Sequence, residues 1–231
     1  MSKRSETIQG LFRVLSGALG PSRWWPGETP FEVAVGAILT QNTNWKNVEK
    51  AIANLKAADV LTAKGLRALP AARLEELIRP AGYFRIKTMR LTDFLDFLEQ
   101  ESGLEIEALG DQSLEQLRPK LLAVRGIGPE TADSILLYAL GKPTFVVDAY
   151  TVRMFSRHGL IPEVTDYYEV QDIAQSAIAS AVQDDSATVA DYNEFHALIV
   201  RAAKEWCRKT KPLCALCPAR ALLPNPDELP S

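Results

Sequence analysis

Apolar residues recur along most of this chain three and four positions apart, the spacing of helices packed against a core. Ile8, Leu11, Phe12, Leu15 and Leu19 mark a helix over 6–19, closed by Gly20-Pro21. Thr29, Pro30 and Glu32 carry the signature of a capping box. It opens a helix from Phe31 to Thr40 that is apolar nearly all round and is predicted to be central and buried. The polar run Gln41-Asn42-Thr43-Asn44 breaks it. The pattern resumes over 46–58, in two short segments at 63–68 and 71–78, and over 86–100 with Leu91, Phe94, Leu95 and Leu98 on one face. Ser113 and Gln116 give a second capping box, and further helices are predicted at 149–158, 166–182 and 189–206. No stretch alternates with period two, and Phe145–Val147 is too short to found a sheet. The predicted class is all-α.

The stretch Leu121–Arg153 carries the most chemistry. Gly126 and Gly128 flank Ile127 between two helices, and both glycines are expected to let the chain reverse through angles that residues with a Cβ avoid. Bare N–H groups at the start of the following helix suit a phosphate. Two glycines also make an ordinary tight hairpin, and Lys120 and Arg125 beside the turn favour the phosphate reading. Asp148 follows an apolar Phe145-Val146-Val147 and precedes a helix, where a carboxylate N-cap is worth about 1 kcal/mol. Held ionised there, the same carboxylate can stabilise a sugar cation and orient an attacking water.

Lys and Arg number 26 against 29 Asp and Glu, a net charge of -3. That argues against a general nucleic-acid coat, though not against an enzyme with a local basic face. One such face is legible. Tyr83 and Phe84, interleaved with Arg79, Arg85, Lys87 and Arg90, read as an intercalating wedge beside phosphate contacts, or as an amphipathic helix start with solvated cations. The opening residues are too polar for a signal peptide and no run approaches eighteen apolar residues, so the expectation is a cytoplasmic protein with no membrane partner. Three cysteines, all in the last 25 residues, argue against a disulfide framework. His158 and His196 lie in helix patterns and read as structural.

The segment LLAVRGIGPETADSILLYALGKPTFVVD resembles the helix-hairpin-helix/Gly-Pro-Asp signature of the endonuclease III superfamily of DNA glycosylases. The likeness extends to Pro30-Phe31-Glu32 through Gln41 and to the cysteine-rich end, covering most of the chain. It implies a six-helix barrel domain with the hairpin at 28–142 and a second helical domain from 1–27 and 143–231, flanking a DNA-binding cleft. It also implies a monomer in the nucleoid that binds double-stranded DNA with damaged bases. By the resemblance Asp148 is catalytic, Arg125, Gly126, Ile127 and Gly128 bind phosphate, and Gln41 enters the gap left by a flipped nucleotide. Bifunctional members carry a lysine two residues after the second glycine, which attacks the sugar and forms a Schiff base. This chain has Glu130 there, so a hydrolytic, monofunctional enzyme is implied.

The motifs are more similar to the 3-methyladenine DNA glycosylase branch than to the enzymes for thymine glycol or mismatched adenine. Trp24 and Trp45, with Trp25 and Glu130, would then line the base pocket. An N3-methylated purine is cationic and a good leaving group, and stacking on indole favours a cation by roughly 0.5–2 kcal/mol. The tryptophans read equally as core anchors. Cys207, Cys214 and Cys217 match three of four ligands of the superfamily's [4Fe-4S] loop, while Leu223 stands where the fourth would be. Either an outside ligand completes a cluster or the loop keeps its fold without metal. Two other functions remain open to the sequence: a glycosylase/lyase for oxidised pyrimidines, and a non-catalytic DNA-structure binder.

Overall fold

The computed structural model describes residues 2–22, 27–180 and 188–227. Among them every regular element is a helix and there is no strand. The all-α prediction therefore holds. The chain splits into two compact units, Trp25–Lys142 and Met1–Trp24 with Pro143–Ser231.

The first unit is built from α2 (Pro30–Thr40), α3 (Trp45–Ala57), α4 (Ala63–Ala68), α5 (Ala71–Ile78), α6 (Phe84–Ser102), α7 (Leu114–Ala123) and α8 (Pro129–Ser134). Helix α2 is central, as its apolar circumference predicts: Val35, Ile38 and Leu39 are fully buried, and α3, α6 and α8 pack around it. Its N-cap is half the predicted box. Thr29 accepts the Glu32 N–H at 3.1 Å, but the Glu32 carboxylate reaches past Thr29 to the Glu28 N–H and to Lys56 Nζ at 3.0 Å. Burial explains the detour, because a carboxylate turned into the unit needs a cation more than a second amide. At α7 the box is complete, with Ser113 and Gln116 each satisfying the other's backbone N–H.

Helix α8 runs without a break into a π-helical turn, Ile135–Ala139, whose wide ring closes from the Leu140 N–H to the Ile135 carbonyl at 3.2 Å. Arg118 on α7 grips fully buried Asp133 on α8 with two bonds of 2.8 Å. That planar, two-point clamp fixes the angle between the hairpin's helices.

The second unit joins α1 (Lys3–Leu19) to α9 (Ala149–Arg157), α10 (Tyr167–Ala179) and α11 (Thr188–Glu205). Its extended segment before Asp148 has no sheet to satisfy its backbone. Side chains of α10 do so instead: Gln175 accepts the Phe145 N–H at 2.8 Å, and Gln171 donates to the Phe145 carbonyl at 2.7 Å. Buried peptide groups must find partners, and here two glutamines replace a neighbouring strand.

Candidate functional site

In the first unit the candidate residues gather around the hairpin. Val124 and Ile127 are buried in the same core as α2, so the turn is anchored by its apolar residues while Arg125, Gly126 and Gly128 stay exposed. The two glycines do different jobs, which corrects the expectation that both are conformationally required. Gly126 has φ +84°, a left-handed angle. Gly128 is the N-cap of α8 at φ −92°, extended backbone that any residue adopts, with open space where a Cβ would lie. Its lack of a side chain keeps the N-terminus of α8 uncovered.

The hairpin is tied to the end of α2. Gln41, the C-cap of that helix, donates from Nε2 to the Gly126 carbonyl at 3.0 Å and to Thr131 Oγ1 at 2.9 Å, while its Oε1 accepts from Arg90 Nη1. As it stands the Gln41 amide is engaged on three sides, and filling a gap in DNA requires those bonds to open. The cations beside the turn are also occupied: Arg125 pairs with Asp93, and Lys120 with Glu101 and Gln112. Glu130 lies exposed on the first turn of α8.

The basic-aromatic face departs from its sequence reading in two places. Tyr83 is 67% exposed and sits at φ 44° as the N-cap of α6, so a left-handed residue thrusts the phenol outward. Ile86 and Met89 extend the same exposed apolar strip along α6. Phe84, expected beside Tyr83 in the wedge, is instead half-buried against the core under the Arg79 guanidinium, 4.7 Å from its centroid. Lys87, expected to face phosphates, is 1% exposed. Its ammonium donates to the Leu39 and Ala81 carbonyls at 2.8 and 2.7 Å, pinning the end of α2 to the turn before Tyr83. Burial first, and Arg90 second, push its pKa down to about 8. The helical period sets Lys87 on the same face as Leu91, Phe94 and Leu98, so its burial follows the apolar stripe, while the carbonyls that receive its ammonium are supplied by the tertiary packing.

Trp45 opens α3 half-buried, with its ring edge 3.4 Å from where a Cβ on Gly36 would lie. Trp24 and Trp25 lie outside the described residues.

In the second unit Asp148 is the N-cap of α9. Its Oδ1 accepts from the Thr151 N–H at 2.8 Å and the Thr151 hydroxyl at 3.0 Å. Its Oδ2 faces His196 Nε2 on α11 at 3.5 Å. Burial alone would raise the carboxyl pKa, but the His196 charge and hydrogen bond and the two Thr151 donors outweigh it and hold the group below the ordinary carboxylate value. The residue is thus both cap and ionised acid. His196, expected from its helix pattern to be structural, approaches Asp148 across 48 positions of sequence, a contact no local pattern carries. Thr151, three residues after an N-cap, was open to a reading by capping geometry.

Cys207, Cys214 and Cys217 line one small cavity together with His158 and Leu223. Burial pushes the thiols of Cys214 and Cys217 up, and Cys207 Sγ accepts from Arg157 Nη1 at 3.2 Å. The fourth corner is the apolar, buried Leu223. Among the described residues no group of three or more His, Cys, Asp or Glu side chains stands close enough to hold a metal. The donor set does not fit a four-thiolate cluster.

The sequence model of the HhH-GPD superfamily of base excision DNA repair proteins matches residues 35–180. A Methanocaldococcus jannaschii protein named "Putative DNA repair glycosylase MJ1434" is 46% identical over 216 residues, 93% of this chain and 94% of that protein. Among solved structures, H. pylori 3-methyladenine DNA glycosylase bound to 1,N6-ethenoadenine is 30% identical. It matches with a TM-score of 0.74 over 88% of this chain and 98% of its own. A trapped endonuclease III–DNA covalent intermediate gives a TM-score of 0.78 over 98% of both chains, and at 19% identity this is a likeness of fold.

Proposed function

The chain belongs to the HhH-GPD superfamily and is a DNA N-glycosylase of base excision repair; we propose that it is a monofunctional one that removes alkylated purines, 3-methyladenine foremost. Two acidic residues support this reading, Glu130 in the first unit and Asp148 in the second. Glu130 occupies the position where a lysine would form a Schiff base, and a carboxylate cannot make that imine. Asp148 is held ionised by Thr151 and His196. In the proposed reaction the C1′–N bond breaks with its electron pair leaving on the base. Asp148 stabilises the sugar cation, and water adds to C1′ and loses its proton, leaving an abasic site.

The choice of base rests on chemistry that needs little help. A purine methylated at N3 already carries positive charge, so no strong general acid is required, and unpairing is cheaper for a damaged base. Trp45, half-buried at the start of α3, is proposed as the aromatic surface for such a cation, and the likeness to the H. pylori enzyme supports the same assignment. Tyr83, with Ile86 and Met89 behind it, is proposed as the apolar wedge that enters the duplex, and the exposed backbone of Gly126 and Gly128 as the phosphate contact.

The test is a set of duplexes each carrying one lesion: a methylated purine, 1,N6-ethenoadenine, an oxidised pyrimidine or a deaminated base. Release of methylated purine, leaving an intact abasic strand and no borohydride-trapped complex, is the expected result. Strand nicking with trapping on oxidised pyrimidines would replace this reading with a lyase. Binding without release of any base would leave only a DNA-structure binder.

A further inference from the structure

We propose that His196 is the positioning residue of the Asp148 carboxylate, setting both its orientation and its ionisation during hydrolysis. The inference rests on the reading of Asp148 as the catalytic carboxylate. Its footing is a division of labour between the two carboxylate oxygens. Oδ1 is consumed by the start of α9, accepting both the amide and the hydroxyl of Thr151. Oδ2 is the oxygen left for a reacting group, and the ring that meets it is His196, Nε2 to Oδ2 at 3.5 Å. Neither side chain is open to bulk water, being 13% and 8% exposed, so the interaction is little screened.

His196 is itself set in place. The Phe145 ring stands edge-on to the imidazole at 6.1 Å, and Phe145 is clamped through its backbone by Gln171 and Gln175 of α10. The groups acting on the carboxylate therefore come from two helices, Thr151 on α9 and His196 on α11. From α10, Tyr167 reaches the neighbouring Val147 N–H at 3.4 Å. Asp148 and the Phe145 edge are among the groups that face the imidazole.

This geometry suits one task. A partly buried carboxylate tends to take up a proton, and a protonated Asp148 can neither stabilise a sugar cation nor accept a proton from water. With its Nε2 3.5 Å from Oδ2, His196 is placed to oppose that protonation and to keep Oδ2 from rotating away. When water adds to C1′ its proton goes to Oδ2. His196 gains and loses none, which makes it a positioning group and not the general base.

The test uses the full chain and three forms: native, His196→Leu and His196→Gln. Two quantities are read, the Asp148 carboxyl titration by 13C NMR and the pH profile of single-turnover base release. In His196→Leu the titration is expected to move up by about one pH unit, carrying the acid limb of the profile with it. The plateau rate should fall about tenfold while lesion-duplex Kd is unchanged. His196→Gln, which keeps an N–H donor, should restore most of both. An Asp148 titration that is the same in all three forms overturns the proposal, whatever the activity. A shifted titration in a protein that releases no base would leave the His196 assignment standing and overturn the glycosylase reading of the site.

Discussion

Arg90 lies against the backbone of Gly126 so closely that a Cβ at that glycine would fall 2.6 Å from Arg90 Cγ. The same guanidinium bonds to Gln41, which in turn holds the Gly126 carbonyl. Helix α6, the end of α2 and the hairpin turn are thereby locked through one glycine. Gly126→Ala must both adopt a left-handed angle, costing about 1–2 kcal/mol, and push Arg90 aside. A lowered melting temperature together with weaker duplex binding is expected. A Gly128→Ala control, at an extended residue in open space, should melt like the native protein. Equal melting of the two variants would contradict this account.

Asp148→Asn separates folding from chemistry. Asparagine caps a helix as well as aspartate, so α9 should survive and the melting temperature should hardly change. Base release should fall by roughly 10²–10⁴-fold, because an amide is neither a negative charge nor a base. Near-native release would remove Asp148 from the mechanism.

Lys87 makes stability depend on alkaline pH with an unusual sign. Its native pKa is near 8, below the ordinary 10.5, so between those values the unfolded chain holds a proton that the native state has released. Stability should therefore rise as pH increases from 8 to 10.5, by on the order of 3 kcal/mol. Urea melts of the native protein and Lys87→Met across that range provide the check. A slope that persists in the variant would assign the effect to another group.

Asp133 is fully buried, and its clamp to Arg118 sets the hairpin angle. Asp133→Ala leaves a guanidinium facing the interior and should cost about 3–5 kcal/mol. The double variant with Arg118→Met should lose less than the two single changes added together. Strict additivity in chemical denaturation would mean that the pair is not coupled.

The sequence alone determined that the chain is helical, where most helices begin, and which glycines and carboxylate mark a hairpin and a cap. Those are local properties. A helix period, a capping box such as Ser113–Gln116, and an N-cap such as Asp148 are written within a few consecutive residues, so a linear reading can find them. The absent lysine at Glu130 was legible for the same reason.

The inner face of α6 was legible in Leu91, Phe94, Leu95 and Leu98, but only the tertiary structure decided how the basic-aromatic residues at its start divide between core and surface. Phe84 and Lys87 share the basic-aromatic pattern with Tyr83, yet the carbonyls of Leu39 and Ala81 draw Lys87 in and the core takes Phe84, leaving Tyr83 to project. It also decided that Gly126 is required for its angle while Gly128 is not, and that His196 meets Asp148 from another helix. Such contacts join residues tens of positions apart. Their free energy comes from burial and from pairing that burial makes obligatory, and neither exists until the helices have packed.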